Sequence, residues 1–166
     1  MSIVLDTLTF GRLLDLVMPG TGPSPAEVRA ILQLAQLAAG TDLDDDDAER
    51  SLLGALTRRL CASAEIPVSS VPVLSPLPGD AEERNAQIVS LASRLVSPQS
   101  RELAFVVAYL LIVSDLELGP LELELLEALR QALCIDGSRA TDLLAEASEL
   151  VTPGARAELE RAAAHP

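Results

Sequence analysis

Two segments of this chain align without a gap when the sequence is shifted by 73 residues, and this repeat restricts the possible folds more than any other feature. The first copy covers residues 24–61 and the second covers residues 97–134. Because 49% of the chain is hydrophobic, matches of leucine and alanine alone would carry little weight. Polar residues and cysteine match as well, which indicates that one structural unit is used twice. These matches are Ser24-Pro25 with Ser97-Pro98, Asp42 with Asp115, Glu49 with Glu122, and Cys61 with Cys134.

The first copy has the pattern of two helices joined by an acidic turn. Ser24 is placed to cap a helix, with Pro25 at its first position and Glu27 completing a capping box. Gly40 ends that helix, and the acidic run 44–47 begins the next one, where negative charge interacts well with the helix dipole. One apolar face of the first helix is predicted to lie in the core. It consists of Val28, Ile31, Leu32, Ala35, Ala38 and Ala39.

The second copy follows the same plan. Its first helix begins at Ser97-Pro98, and residues 103–113 are apolar on every side, which predicts the most buried helix of the chain. An acidic turn follows over residues 115–120. The next helix is predicted to bury one face, formed by Leu121, Leu125, Leu129, Ala132 and Leu133.

The flanking segments are also helical in pattern. Apolar residues recur at helical spacing over 10–17, 88–95 and 140–151, with Ser138 as the expected cap of the third segment and a last short helix from Thr152. No stretch predicts a strand. We therefore expect an all-α protein, a single-domain bundle of about seven helices with a pseudo-twofold repeat of a helical hairpin.

One stretch between the copies does not have a helical pattern. Residues 62–80 contain four prolines, which exclude a continuous helix. We predict an extended linker that lies against the bundle through Val71, Val73 and Leu74. Residues 1–166 then form one domain, with the linker separating repeat 1 from repeat 2.

Charge and cysteine content restrict the partners and the compartment. A formal net charge of −13 repels phosphate backbones, so no nucleic-acid partner is expected, whereas a basic protein or a hard cation suits it. The acidic charge is equally consistent with a role in solubility alone. The longest apolar run has 11 residues, and a membrane span needs roughly 20. The N-terminus lacks the pattern of a secretory signal, and Cys61 and Cys134 are expected to be buried, reduced thiols, so we predict a cytoplasmic protein.

The hairpin motif resembles that of the TerB-like (tellurite-resistance) family of small bacterial helical domains. The second copy is the closer match, with the sequence from Ser114 to Glu122 followed by Leu125 to Leu129. The family then has a further helix, which matches residues 138–151. After the Asp of the turn, where the family typically has Gly, both copies have Leu. The resemblance implies a cytoplasmic component of stress or metal-resistance systems that contacts cations or partner proteins, and it implies no enzymatic chemistry.

The two Asp–Glu pairs of the acidic turns are the candidate site. If the hairpins pack around a pseudo-twofold axis, Asp42, Glu49, Asp115 and Glu122 could meet, and clustered carboxylates suit Ca²⁺, Mg²⁺ or Mn²⁺. The alternative is that each Asp and Glu only caps its helix. The spacing Asp42, Asp44, Asp46 starts like a calcium-binding EF-hand, but Asp47 and Leu53 stand where that loop needs Gly and Glu.

Motifs for catalysis are absent from the sequence. His165, the one histidine, is the penultimate residue, and no phosphate-binding glycine loop is present. We therefore predict a non-enzymatic regulatory or partner-binding module. The alternative is a structural homo-oligomerisation domain, suggested by Leu123, which lies on the outward side of its helix and could form part of a homodimer contact.

Overall fold

The computed structural model describes residues 5–40, 47–74, 79–114 and 119–151, and these residues form an all-helical bundle without a strand. The predicted fold class is therefore confirmed. Among these residues no helix is both long enough and apolar enough to cross a bilayer. The helices are α1 (Thr7–Val17), α2 (Pro25–Ala39), α3 (Asp47–Ser63), α4 (Ala81–Ala92), α5 (Pro98–Val113), α6 (Pro120–Ala132) and α7 (Gly137–Val151), with a short 3-10 helix at Val68–Ser70.

Helices α2 and α5 form the centre of the bundle and pack most extensively against each other. Each buries ten residues. The prediction of a deeply buried helix over residues 103–113 is confirmed, but α2 is as well buried, with Ala30, Leu34 and Leu37 inside in addition to its predicted face. The reason is that α3, α4 and α5 all pack against α2, so that several of its faces are covered.

The starts of α2 and α5 follow the predicted caps. The Ser24 hydroxyl accepts a hydrogen bond from the backbone N–H of Glu27 (3.2 Å), and the Glu27 carboxylate accepts one from the N–H of Ser24 (3.3 Å), which completes the capping box. Ser97 accepts from the N–H of Ser100 in the same way (3.1 Å). The two helices of the second copy begin at residues 98 and 120, each 73 residues after its counterpart at 25 or 47. The helix starts thus keep the spacing of the sequence repeat, whereas superposition of the two copies stays a prediction.

The ends of the repeats differ. Cys61 lies inside α3, which continues to Ser63, whereas the matching Cys134 lies beyond the end of α6 at Ala132. Cys134 adopts a φ of 56°, the left-handed conformation that closes a helix, and its side chain is exposed. The prediction of two buried thiols is therefore right for Cys61 and wrong for Cys134, because the second helix ends about one turn earlier than its counterpart.

Two further expectations about side chains are wrong. Leu121 was expected to face the core but is 69% exposed, because it lies in the first turn of α6, before Leu125, the first buried residue of that helix. Ser138 does not cap α7. Instead, the Asp136 carboxylate accepts hydrogen bonds from the N–H (3.3 Å) and the hydroxyl (2.5 Å) of Ser138. The short helix expected from Thr152 lies outside the described residues.

The described part of the linker lies against the core of the bundle as predicted, through Val71 and Leu74. The side-chain amide of Gln36 donates to the carbonyl of Pro72 (3.1 Å) and accepts from the N–H of Leu74 (2.8 Å). Val73, between these two bonds, is 80% exposed, so its predicted inward position is wrong. The Gln36 amide fixes the backbone on both sides of Val73 and leaves that side chain in solvent.

Replacing Gln36 by alanine tests this attachment. The Gln36→Ala variant loses both hydrogen bonds, and we expect it to be destabilised by about 1–2 kcal/mol. Hydrogen exchange at the Leu74 amide should become faster. The amides in the middle of α5 should keep the same ranking of protection among themselves. Gln99→Ala, at an exposed position of α5, is the matched control. Unchanged protection of the Leu74 amide in Gln36→Ala would contradict the attachment.

Candidate functional site

The four residues of the predicted cation site are only half described by the structure. Asp42 and Asp115 lie outside the described residues. Glu49 and Glu122 are each the third residue of their helix, α3 and α6 respectively. Glu49 is buried, with 8% of its surface exposed, whereas Glu122 is partly exposed. Because two of the four residues lie outside the described ranges, the cation site stays a prediction.

The conformation of Glu122 favours the capping interpretation for this residue. Gly119 is the N-cap residue of α6, and a Cβ atom placed there would lie 2.5 Å from a carboxylate oxygen of Glu122. The carboxylate therefore folds back over the start of its own helix, where the free N–H groups and the helix dipole attract negative charge. Within the described ranges, no group of three or more His, Cys, Asp or Glu side chains could hold a metal ion.

The Cys61 thiol is placed for packing. Burial raises the pKa of Cys61, against a smaller opposite effect of the nearby Arg29 cation. Because the thiolate is the reactive form of cysteine, a raised pKa makes this thiol a poor nucleophile at neutral pH.

An open groove lies between α6 and α7. Both helices pack on α5, but they make little contact with each other, so a space of about 420 Å³ is left between them. Phe105 of α5, which is 1% exposed, forms its floor. The lining is mainly apolar. It consists of Phe105, Leu123, Leu126, Glu127, Arg130, Gly137, Ala140, Thr141 and Leu144.

The groove is held together at one end and open at the other. Only four residues connect the end of α6 at Ala132 with the start of α7 at Gly137. Arg130 donates a hydrogen bond to the carbonyl of Ile135 in this connection (2.8 Å), which holds it against α6. Because α6 runs towards this connection and α7 runs away from it, Leu123 and Leu144 lie towards the other end of the groove, where the helices are not joined. Leu123 is 53% exposed there.

A charged pair lies on the α6 side of the groove. The Arg130 guanidinium donates two hydrogen bonds to the Glu127 carboxylate (2.9 and 2.6 Å), and the Gln131 amide donates a third (3.0 Å). The bonds from Arg130 and Gln131 lower the pKa of Glu127 to about 2. Glu127 is therefore ionised under all ordinary conditions, and Arg130 is engaged by its own helix.

The position of α7 is set by contacts to α5. Arg139 of α7 makes two hydrogen bonds with the Glu102 carboxylate of α5 (2.8 and 3.0 Å). The Tyr109 and Ser148 hydroxyls, from the same two helices, are hydrogen-bonded at 3.1 Å. Both arginines of α6 and α7 are thus engaged within the chain, while the two helices carry six Asp and Glu residues.

The sequence identified only part of this groove. The sequence analysis correctly placed Leu123 on the outward side of its helix. It gave Leu144 only as part of the apolar pattern over residues 140–151, and Phe105 as part of the most buried helix. One signal for the groove is present in the sequence, because α6 contains five leucines, more than one buried face of a 13-residue helix needs. The separation of α6 from α7 above Phe105 depends on how the helices pack. The sequence pattern does not specify that packing.

Comparisons with known proteins do not place the chain in a family. No protein-family model, no curated protein and no solved structure matches it.

Proposed function

We propose that this chain is a non-enzymatic, partner-binding helical module whose binding surface is the groove between α6 and α7. The observation that carries the proposal is an open apolar groove with buried Phe105 at its floor and the half-exposed Leu123 at its mouth. A mainly apolar lining with a few polar groups is a feature of binding sites. A volume of about 420 Å³ is also within the range of ligand pockets.

The TerB-like resemblance of the hairpins supports a regulatory role in bacterial stress or tellurite resistance, in the cytoplasm. Under this proposal the partner is a protein. The chain's net charge of −13 favours a basic one.

A peptide library displayed on phage tests the groove without knowledge of the partner. We expect the wild-type protein to enrich a family of related peptides. Leu123→Ser should weaken their binding at least about tenfold, since truncating an apolar anchor residue of an interface costs more than 1 kcal/mol. Leu121→Ser is the matched control, because Leu121 is also an exposed leucine of α6 but does not line the groove. Peptides that bind the Leu123→Ser protein as tightly as the wild type would refute the groove as the binding surface.

The proposal extends to a divalent cation at the acidic turns, with Asp42, Glu49, Asp115 and Glu122 as its ligands. The matching positions of Glu49 and Glu122, each third in its helix, support it. A bound cation would have to draw the Glu122 carboxylate away from Gly119.

Thermal melting in Ca²⁺, Mg²⁺ or Mn²⁺ tests the cation site. A cation that binds only the folded protein at about a hundred times its Kd should raise the melting midpoint by about 5–10 °C. The rise should disappear in the Asp42→Asn, Asp115→Asn double variant. A midpoint that stays constant in excess metal, or an equal rise in the double variant, would exclude these residues as ligands.

A second candidate function is homo-oligomerisation, and the exposure of Leu123 is the observation that favours it. Light scattering after size exclusion separates the two proposals. A partner-binding module should elute as a monomer of about 17.5 kDa, whereas a homodimer should dissociate in Leu123→Ser and persist in Leu121→Ser.

A further inference from the structure

We propose that the first half of α4, residues 81–87, is an opening segment: it detaches from the bundle and unfolds locally while the rest of the chain stays folded. The second half of α4 and its connection to α5 hold the chain in place during the opening. Because α4 packs on α2, the opening gives access to a surface next to α2, formed by residues that do not line the α6–α7 groove.

The apolar contacts of α4 all lie in its second half. Ile88, Leu91 and Ala92 are its buried residues, and all three belong to the last five positions of the helix. Arg84 lies four residues before Ile88, and Gln87 lies four residues before Leu91. Residues four apart share one face of a helix, so the face that packs against the bundle is apolar in its second half and polar in its first.

The polar half of this face contains buried atoms without partners. Arg84 Nε and Gln87 Oε1 are buried and have no hydrogen-bond partner among the described residues. On α2, the side-chain oxygen of Gln33, which is 7% exposed, also has none. A buried polar atom without a partner costs free energy that it regains in water. Opening of residues 81–87 therefore hydrates the two α4 atoms and exposes no fully buried residue of the segment itself.

The side-chain hydrogen bonds at the start of α4 are local. The Asp80 carboxylate caps the helix by accepting from the N–H of Glu83 (2.8 Å), and the Glu83 carboxylate accepts from the N–H of Gly79 (3.4 Å). Within the described ranges, no side-chain hydrogen bond joins residues 81–87 to another helix. The cap therefore favours helix formation in the segment but does not attach it to the bundle.

The other end of α4 is fixed to the bundle. The N–H of Leu95 donates to the carbonyl of Ala92 (3.0 Å), which turns the chain after the helix. Leu95 is fully buried, and Arg101 of α5 donates to its carbonyl (2.9 Å). These contacts hold the end of α4 on α5, so the opening is confined to the first half of the helix.

Helix α2 provides a matched comparison for hydrogen exchange, because both helices begin with a side-chain cap. The N–H of Arg84 donates to the carbonyl of the N-cap residue Asp80 (3.1 Å), and the N–H of Val28 donates to that of Ser24 (2.9 Å). Amides 84–87 and 28–31 thus occupy equivalent positions in two capped helices. A seven-residue segment detached from the bundle is not a stable helix in water, so its amides exchange whenever it opens.

Native-state hydrogen exchange of the full chain, at urea concentrations below the unfolding transition, measures the opening. After correction for intrinsic rates, amides 84–87 should exchange at least about tenfold faster than amides 28–31. Their exchange should depend little on urea, because a local opening exposes little surface, whereas that of amides 28–31 should accelerate. Equal rates in the two sets, or an equal dependence on urea, would overturn the proposal. Exchange of the Leu95 amide as fast as that of amides 84–87 would overturn it too.

A double variant tests the cause of the opening, with circular dichroism as the check that it is folded. Arg84→Met combined with Gln87→Leu removes both unpartnered atoms and keeps an apolar side chain at each position. Exchange of amides 84–87 should then slow at least about fivefold. Asn85→Leu, at an exposed position of α4, is the matched control and should slow exchange no more than about twofold, through helix propensity alone. Unchanged exchange in the double variant, or equal slowing in the control, would refute the proposal.

Discussion

The Phe105→Ala variant should lose about 3–5 kcal/mol of its free energy of unfolding, the largest effect that we expect from any single substitution in this chain. Phe105 is 1% exposed and is the largest fully buried side chain. Its removal leaves a cavity in α5, the helix on which α1, α2, α3, α6 and α7 all pack. A loss of this size is a large fraction of the stability of a typical domain. Urea denaturation followed by circular dichroism measures it.

Two controls define the result for Phe105. Phe105→Leu keeps most of the apolar volume and should lose less than half as much stability as Phe105→Ala. Leu121→Ala, at an exposed leucine, should change the free energy of unfolding by no more than about 0.5 kcal/mol. A loss below about 1 kcal/mol in Phe105→Ala would contradict the assignment of this residue to the core and to the groove floor.

The dual position of Phe105, in the core and under the groove, connects stability with binding. The groove exists because α6 and α7 each pack on α5 and part from each other above this ring. Because Arg139 is hydrogen-bonded to Glu102 and Tyr109 to Ser148, α7 is held to α5 independently of any partner. A groove fixed in this way requires little rearrangement when a partner binds, which lowers the entropic cost of binding.

Local signals in the sequence predicted the helices well. Ser24 and Ser97 each combine a capping hydroxyl with a following proline, so they define the starts of α2 and α5 without reference to the rest of the fold. Gly40 likewise defines the end of α2, with a φ of 73°. The apolar run over residues 103–113 predicted a central helix, because no amphipathic surface helix has this pattern.

The features that the sequence did not predict depend on contacts between elements. Cys134 closes α6 in a left-handed conformation that glycine usually adopts, so no residue type marked this end. Val73 is exposed because Gln36, far away in sequence, fixes the backbone on either side. The groove combines residues of three helices, and its existence follows from the spacing of α6 and α7 on α5.

Glu27 joins the starts of the two central helices. Its carboxylate accepts a hydrogen bond from the Ser24 N–H of its own helix and one from the Ser97 hydroxyl at the start of α5 (3.2 Å). The Ser97 hydroxyl in turn lies 2.8 Å from that of Ser100, which is fully buried. One carboxylate thus lies at the positive ends of both helix dipoles.

The environment of Glu27 determines its protonation. Burial by itself would raise the pKa of Glu27, but the hydrogen bonds from Ser100, Ser24 and Ser97 outweigh it and lower the pKa below 4.5. The folded state therefore favours the ionised form. The stability that Glu27 contributes is fully present above its pKa in the unfolded chain and is lost as the pH falls through its lower folded pKa.

Replacing Glu27 by glutamine should therefore cost about 1–3 kcal/mol at pH 7, since hydrogen bonds to a charged acceptor are lost or weakened next to buried hydroxyls. The difference in free energy of unfolding between wild type and Glu27→Gln should be constant from pH 6 to pH 7 and should shrink below about pH 4.5. Other carboxylates titrate in both proteins and cancel in this difference. Urea denaturation at a series of pH values gives the curve.

A matched glutamate and a double-mutant cycle make this prediction specific. Glu82 also lies in the first turn of a helix and is exposed, so Glu82→Gln should change stability by no more than about 0.5 kcal/mol. If Glu27 acts through Ser97, then Glu27→Gln should cost clearly less in a Ser97→Ala background than in the wild type. Equal costs in both backgrounds would mean that Glu27 caps α2 alone. The carboxylate would then not join the two repeats at their helix starts.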